Sequence, residues 1–218
     1  MQITSIIQQI FIWGVPLIFA ITLHEAAHAW AAYCLGDPTA KLLGRVSANP
    51  IRHIDLFGTL LLPAFMLLVT HFSFAFGWAK PVPMNIHAFK KKRRDAALVA
   101  LAGPAANIFM ALLWAILIKG AIFLGGNNAI GDFLFLMGQA GILLNVVLGV
   151  LNCLPLPPLD GSKMLGLLLP NQYADLLLRY EAYGLWILLL LVITGILGKI
   201  MMPLVAYVIY GIVWLFQL

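Results

Sequence analysis

Long apolar runs, separated by short polar or proline-bearing stretches, make up most of the chain. The first covers about residues 6 to 34 and ends at "LGDP", Leu35 to Pro38, where Gly36 and Pro38 are helix-stop signals. A polar loop at 37–55 follows, then the apolar segment 56–76, "LFGTLLLPAFMLLVTHFSFAF", with Pro63 inside it. The two prolines of "GWAKPVPMN" favour an extended segment or turn over a helix. Further apolar helices are expected at about 96–124, 133–154, 183–198 and 201–217. The 133–154 helix runs into "NCLPLPPLDG", residues 152 to 161, where Pro155, Pro157 and Pro158 cannot continue a regular helix. Runs of about 20 apolar residues cross a bilayer. The pattern thus predicts an all-α integral membrane protein with about five to six transmembrane helices, in one domain over 1–218 with no internal repeat.

Composition agrees: 63% of residues are hydrophobic, 10% are charged and the mean hydropathy is +1.00, against roughly a quarter charged in a soluble domain. The net charge of +5 does not mark a nucleic-acid partner. Nine of the thirteen Lys and Arg lie between residues 35 and 95, and five form the run Lys90 to Arg94. Such clusters mark cytoplasmic loops and contact with the anionic lipid of the bilayer. The loop at 125–132 carries only Asp132. Helix 1 is therefore expected to run inward across the cell membrane, 96–124 outward and 133–154 inward. Segment 56–76 has basic flanks on both sides, so a re-entrant hairpin broken near Pro63 is expected. Two thiols, Cys34 and Cys153, imply no disulfide framework. The N-terminal stretch has no basic n-region, so helix 1 is expected in the mature protein.

Against that apolar background, "ITLHEAAHAW" at 21–30 places three ionisable side chains in five positions. Ionisable groups at membrane depth are costly and mark function. His24 and His28, four residues apart, project from one helix face and can bind one metal, with Glu25 beside them able to take a proton from water at that metal. With five His and two Glu in the chain, chance yields this motif on the order of once in a thousand shufflings. The alternative is a pair of buried histidines, which would leave a glutamate in lipid without a use.

A catalytic zinc takes three protein ligands and an open position. Asp132 lies on the wrong side of the membrane. His53, Asp55 and His87 fall in loops as solvated polar residues, His71 sits in the apolar 56–76 segment, and Glu181 is expected at the surface beside Arg179. Asp160 follows the proline-broken segment that re-enters the same cytoplasmic half as the HEAAH turn, where irregular backbone must be buried in protein or line a watery cavity. It is the expected third ligand, and Gly161 permits a close approach of helix 1. From residue 6 to His24 is about 27 Å of helix, which puts the zinc site, one per chain, just beneath the cytoplasmic interface of a ~30 Å layer.

Together these residues resemble the site-2 protease family of intramembrane zinc metalloproteases. The resemblance rests on His24-Glu25-x-x-His28, Gly103-Pro104-x-x-Asn107, and Asn152-x-x-Pro155 through Leu159-Asp160-Gly161, in the family's order across most of residues 10 to 165. "HIDLFGT" and "GWAKPVP" resemble its compact branch, without PDZ or CBS domains. It implies that His24, His28 and Asp160 bind zinc, that Glu25 activates the water, and that Asn152 holds the substrate backbone or the developing oxyanion. The alternative for Asn152 is a cap or inter-helix hydrogen bond. Asn107 is expected to be structural, and Gly103 and Pro104 to serve close packing and a helix start. "AKPVPMN" is either an extended edge for an unwound substrate or an ordinary turn.

The function so implied is endoproteolysis of single-pass transmembrane substrates near their cytoplasmic end. A divalent-metal transporter is the rival from another class, and a non-catalytic homologue that binds membrane proteins is a third. Transport wants polar residues through the full depth, and helix 1 has none between residues 10 and 21.

Overall fold

The computed structural model describes residues 3–61, 65, 80–123, 129–170, 173 and 181–218. Its main helices are α1 (Ile3–Cys34), α2 (Thr39–Leu42), α3 (Lys92–Phe123), α4 (Ala129–Cys153), α5 (Asp160–Leu168), α6 (Glu181–Ile193) and α7 (Ile196–Phe216). Four of these, α1, α3, α4 and α7, are long and apolar enough to span a bilayer, and α6 supplies a shorter apolar helix over Tyr183–Ile193. The protein is an all-α membrane protein. Most of segment 56–76, including Pro63 and His71, lies outside the described residues, and so does the expected re-entrant hairpin. Leu56–Leu61 is a π-helical turn.

Helices α1, α3 and α4 pack antiparallel in sequence order. His28 and Ala20 of α1 bond to Val99 and Asn107 of α3, so the two helices run in opposite directions. Along α4, Gly138 faces Ile118, Gly141 faces the Trp114 indole and Gly149 faces Asn107 and Pro104 of α3. Lipid supplies little hydrophobic drive between helices, so close backbone approach at small residues holds them together. A Cβ on Gly141 would overlap the Trp114 ring. Large apolar side chains cover the outside, while a few polar side chains are buried between the helices. Phe109 is 60% and Trp214 72% exposed, whereas Asn107 and Asn145 are 0% exposed at mid-span.

The polar loops are built, not merely solvated. Gly36, at φ +105°, turns the chain out of α1 as only glycine does freely. The buried Asp37 carboxylate then accepts from Thr39 N at 2.9 Å, Thr39 Oγ1 at 2.5 Å and Asn85 N at 2.6 Å. Burial opposes its charge, but those three donors outweigh it and hold the carboxyl below its ordinary range. Lys80 N donates to the His53 carbonyl at 2.9 Å, a second tie between the 37–55 loop and the segment after residue 80.

Four expectations change. His53 is not solvated: it is 2% exposed, with Nε2 2.8 Å from Ser47 O. Helix α3 begins at Lys92, four residues before the expected start, because the Asp95 carboxylate accepts from Lys91 N at 2.9 Å across the first turn. Pro104 is inside α3 instead of at a helix start. The final helices break at Thr194–Gly195, where Gly195 has φ +71°, and not near residue 199.

Candidate metal centre

His24 and His28 lie one turn apart on the face of α1 that meets α3, and are 8% and 7% exposed. Gly103 makes room for them, since a Cβ there would overlap both imidazoles. Helix α4 stops at Cys153, the Pro157–Pro158 bond is cis, and Asp160 opens α5 in its first turn, where a helix dipole favours an acid. Asp160 thus begins a helix instead of merely ending a broken one. Gly161 lets α5 lie on the Cys153 and Leu154 backbone. The close approach expected for helix 1 is made by the end of α4.

This folding-back brings one carboxylate oxygen to both imidazoles. Asp160 Oδ2 lies 3.2 Å from His24 Nε2 and 3.1 Å from His28 Nε2, and the two nitrogens are 3.0 Å apart. Zinc bound tetrahedrally at about 2.0–2.1 Å sets its ligand atoms ~3.3 Å from one another. The triangle of donors has that size, and the donor set of two imidazoles and a carboxylate is one zinc accepts. Among the described residues it is the one such group.

The outer nitrogens are also engaged. His28 Nδ1 is 2.7 Å from the Val99 carbonyl, which can only accept, so Nδ1 carries the hydrogen and Nε2 is free to bind a metal. His24 Nδ1 is 2.6 Å from Asn107 Oδ1. Asn107, expected to be structural only, therefore touches a candidate ligand directly. Its signal in the sequence was its place four residues after Gly103, but only the packing shows that Gly103 marks the histidines.

Glu25 follows His24 in α1 and is half-buried. Asn152 is half-buried in the last turn of α4, and its Nδ2 donates to Leu148 O at 3.0 Å. At i, i+4 and i+7, Asn145, Gly149 and Asn152 share the α4 stripe that faces α3. His87 is exposed in a 3-10 turn, and Asp55 Oδ1 accepts from Gly58 N at 2.6 Å. Asp132 is in the first turn of α4, at the opposite end from Cys153.

The chain is 38% identical over 191 residues to "Putative zinc metalloprotease YwhC" of Bacillus subtilis, covering 87% of this chain and 83% of that protein. The chain belongs to this site-2-protease-like family of zinc metalloproteases. "Putative zinc metalloprotease Rip2" of Mycolicibacterium smegmatis is 29% identical over 186 residues, 84% of this chain and 66% of that protein. The Mycobacterium tuberculosis protein of that name is 27% identical over 153 residues, which span 53% of its length. No family model and no solved structure matches the chain. Membership of this metalloprotease family accounts for a polar donor triangle inside a bundle of membrane-length helices.

Proposed function

We propose that this chain is an intramembrane zinc endopeptidase that hydrolyses peptide bonds of single-pass transmembrane proteins near their cytoplasmic end. The observation that carries the proposal is the triangle of His24 Nε2, His28 Nε2 and Asp160 Oδ2, 3.0–3.2 Å on a side, whose two buried histidines sit in a helix of membrane length. In this proposal one zinc per chain is held by those three residues, with the whole of 1–218 acting as one domain of the compact type without PDZ or CBS modules.

Zinc in this site supplies Lewis acidity, which activates water near neutral pH. Glu25 accepts the proton of the attacking water and passes it to the leaving amine. His28 is oriented by Val99 and His24 by Asn107, so neither ring turns during the reaction. Asn152, on the same stripe as Asn145, steadies the substrate backbone or the oxyanion through its amide. The extended residues after Lys80, held by Asp37 and His53, offer backbone to a locally unwound substrate.

The bundle interior supports a one-sided pocket over a transport path. Beyond Asn107 the α3 core is closed by buried Ala111, Trp114, Ala115 and Ile118. The expected orientation, with the site in the cytoplasmic half of the cell membrane, follows from the basic loops at the C-terminal end of α1 and the N-terminal end of α3. Purified protein incubated with a helical membrane substrate, with and without a zinc chelator, tests the proposal. Chelator-sensitive cleavage is expected. Metal flux across vesicles without cleavage would overturn it.

A further inference from the structure

The bonds that begin at His24 continue past Asn107 into α4. The Asn107 Nδ2 group has two hydrogens, and they go to Ala20 O and Asn145 Oδ1, each at 3.1 Å. Asn145 Nδ2 donates to Gly141 O of its own helix at 2.9 Å. Both asparagines are fully buried. An amide placed in a membrane-spanning helix at no exposure needs its partners, since water is absent to replace them.

The polarity of this chain can run only one way. The Gly141 carbonyl accepts and cannot donate, so Asn145 turns Nδ2 to it and Oδ1 to Asn107. Ala20 O and Asn145 Oδ1 together hold Asn107 Nδ2 on their side, which leaves Asn107 Oδ1 facing His24. That oxygen also only accepts. The hydrogen of His24 is therefore on Nδ1, and Nε2 keeps its lone pair toward His28 and Asp160.

Were Asn107 turned over, its Nδ2 would face His24 Nδ1 and move the hydrogen to Nε2, where it blocks metal binding. Its oxygen would then face two acceptors with no donor between them, an arrangement that burial makes costly. Ala20 O opposes that inversion, and Asn145 adds the second acceptor.

We infer that Asn145 is a positioning residue that, through the Asn107 amide, holds His24 in the tautomer that binds the metal. The inference rests on the proposed zinc site. It assigns to α4 a part in the metal centre besides its supposed substrate-facing Asn152.

The test uses the full chain in detergent, with zinc affinity read by competition against a chromophoric chelator. Removing an outer-shell partner weakens metal binding by about 10–100-fold. Asn107→Leu is expected in that range, and Asn145→Leu near its lower end of ~10-fold. Asn145→Asp is expected to restore binding, because a carboxyl kept neutral by burial offers the same donor to Gly141 and the same acceptor to Asn107. In the Asn107→Leu background, Asn145→Leu should cost nothing further, since no amide remains to be oriented.

A residue that merely joined helices would weaken binding by the same factor in both backgrounds. That result, or wild-type affinity in Asn145→Leu, overturns the inference. Nitrogen NMR of the zinc-free protein gives a separate reading of His24. The Nδ1–H form is expected in the wild type and a mixture with Nε2–H in Asn145→Leu, and an unchanged tautomer would also overturn it. Absence of zinc binding by the wild type would count against the proposed function, and the NMR result would still decide the role of Asn145.

Discussion

Gly103 of α3 lies so close to His28 of α1 that a methyl group on it would occupy the space of the imidazole. The neighbouring clash with His24 means that this glycine sets the separation of the two helices at the level of the donor triangle. A side chain there must push α1 and α3 apart or turn the rings away. Asp160, carried by α5, cannot follow, because Gly161 is pressed on the backbone at the end of α4.

Gly103→Val is accordingly expected to abolish stoichiometric zinc binding while the protein remains helical. Overpacking of this kind costs about 1–3 kcal/mol, less than most folds can bear. Zinc content by elemental analysis, beside circular dichroism, checks this. Full zinc content in Gly103→Val would show that the helices are not held at this distance.

Asp160→Ala removes the only carboxylate of the triangle, and zinc affinity should drop by well over the ~10–100-fold of an outer-shell change. His53→Ala and His87→Ala should keep zinc, since one ring is buried against Ser47 and the other is exposed. Zinc lost from His53→Ala or His87→Ala but kept by Asp160→Ala would reverse the assignment.

Glu25→Gln keeps size and hydrogen bonding but deletes the base. Cleavage of a helical membrane substrate should fall by at least ~10²-fold, the lower range for general-base removal. Zinc content should remain, and the variant should retain uncut substrate in pull-down. Near-normal turnover would rule out Glu25 as the base, and loss of zinc would make it a ligand.

Asp37 is expected to make the loop after α1 acid-sensitive. Its carboxyl titrates below the ordinary value of 3.8 because the Thr39 and Asn85 donors outweigh burial. The stabilisation is therefore complete above that value and is lost as pH falls through the lower folded value. Protection of the Thr39 and Asn85 amides, relative to their intrinsic exchange rates, should fall only in that acid range. Asp37→Ala should show that fall at neutral pH too, with about 1–3 kcal/mol lost through unpaired donors. Protection that is lost already as pH falls from 7 to 5 would contradict this sign.

Orientation can be read by labelling. With Cys34 and Cys153 replaced, Ser47→Cys and Lys90→Cys should both resist an impermeant thiol reagent applied outside intact cells. Labelling of Lys90→Cys alone would place a full crossing in the segment between them and move the helix count.

Periodicity and hydropathy were enough to read the membrane class and the long helices, because lipid forces every spanning backbone into internal hydrogen bonds and leaves long apolar runs as the trace. The i, i+4 spacing of His24 and His28 was equally legible, since it depends on helix geometry alone. What joins them to Asp160 depends on tertiary structure. The turn after Cys153, seated through Gly161, brings a carboxylate 132 residues away to 3.1 Å from His28. Burial of His53, the place of Asn107 beside His24 and that of Asn145 beside Asn107 were equally invisible along the chain. A polar side chain in an apolar helix announces only that it must have a partner; which one is decided by the register in which α1, α3 and α4 pack, set by glycines whose neighbours lie on other helices.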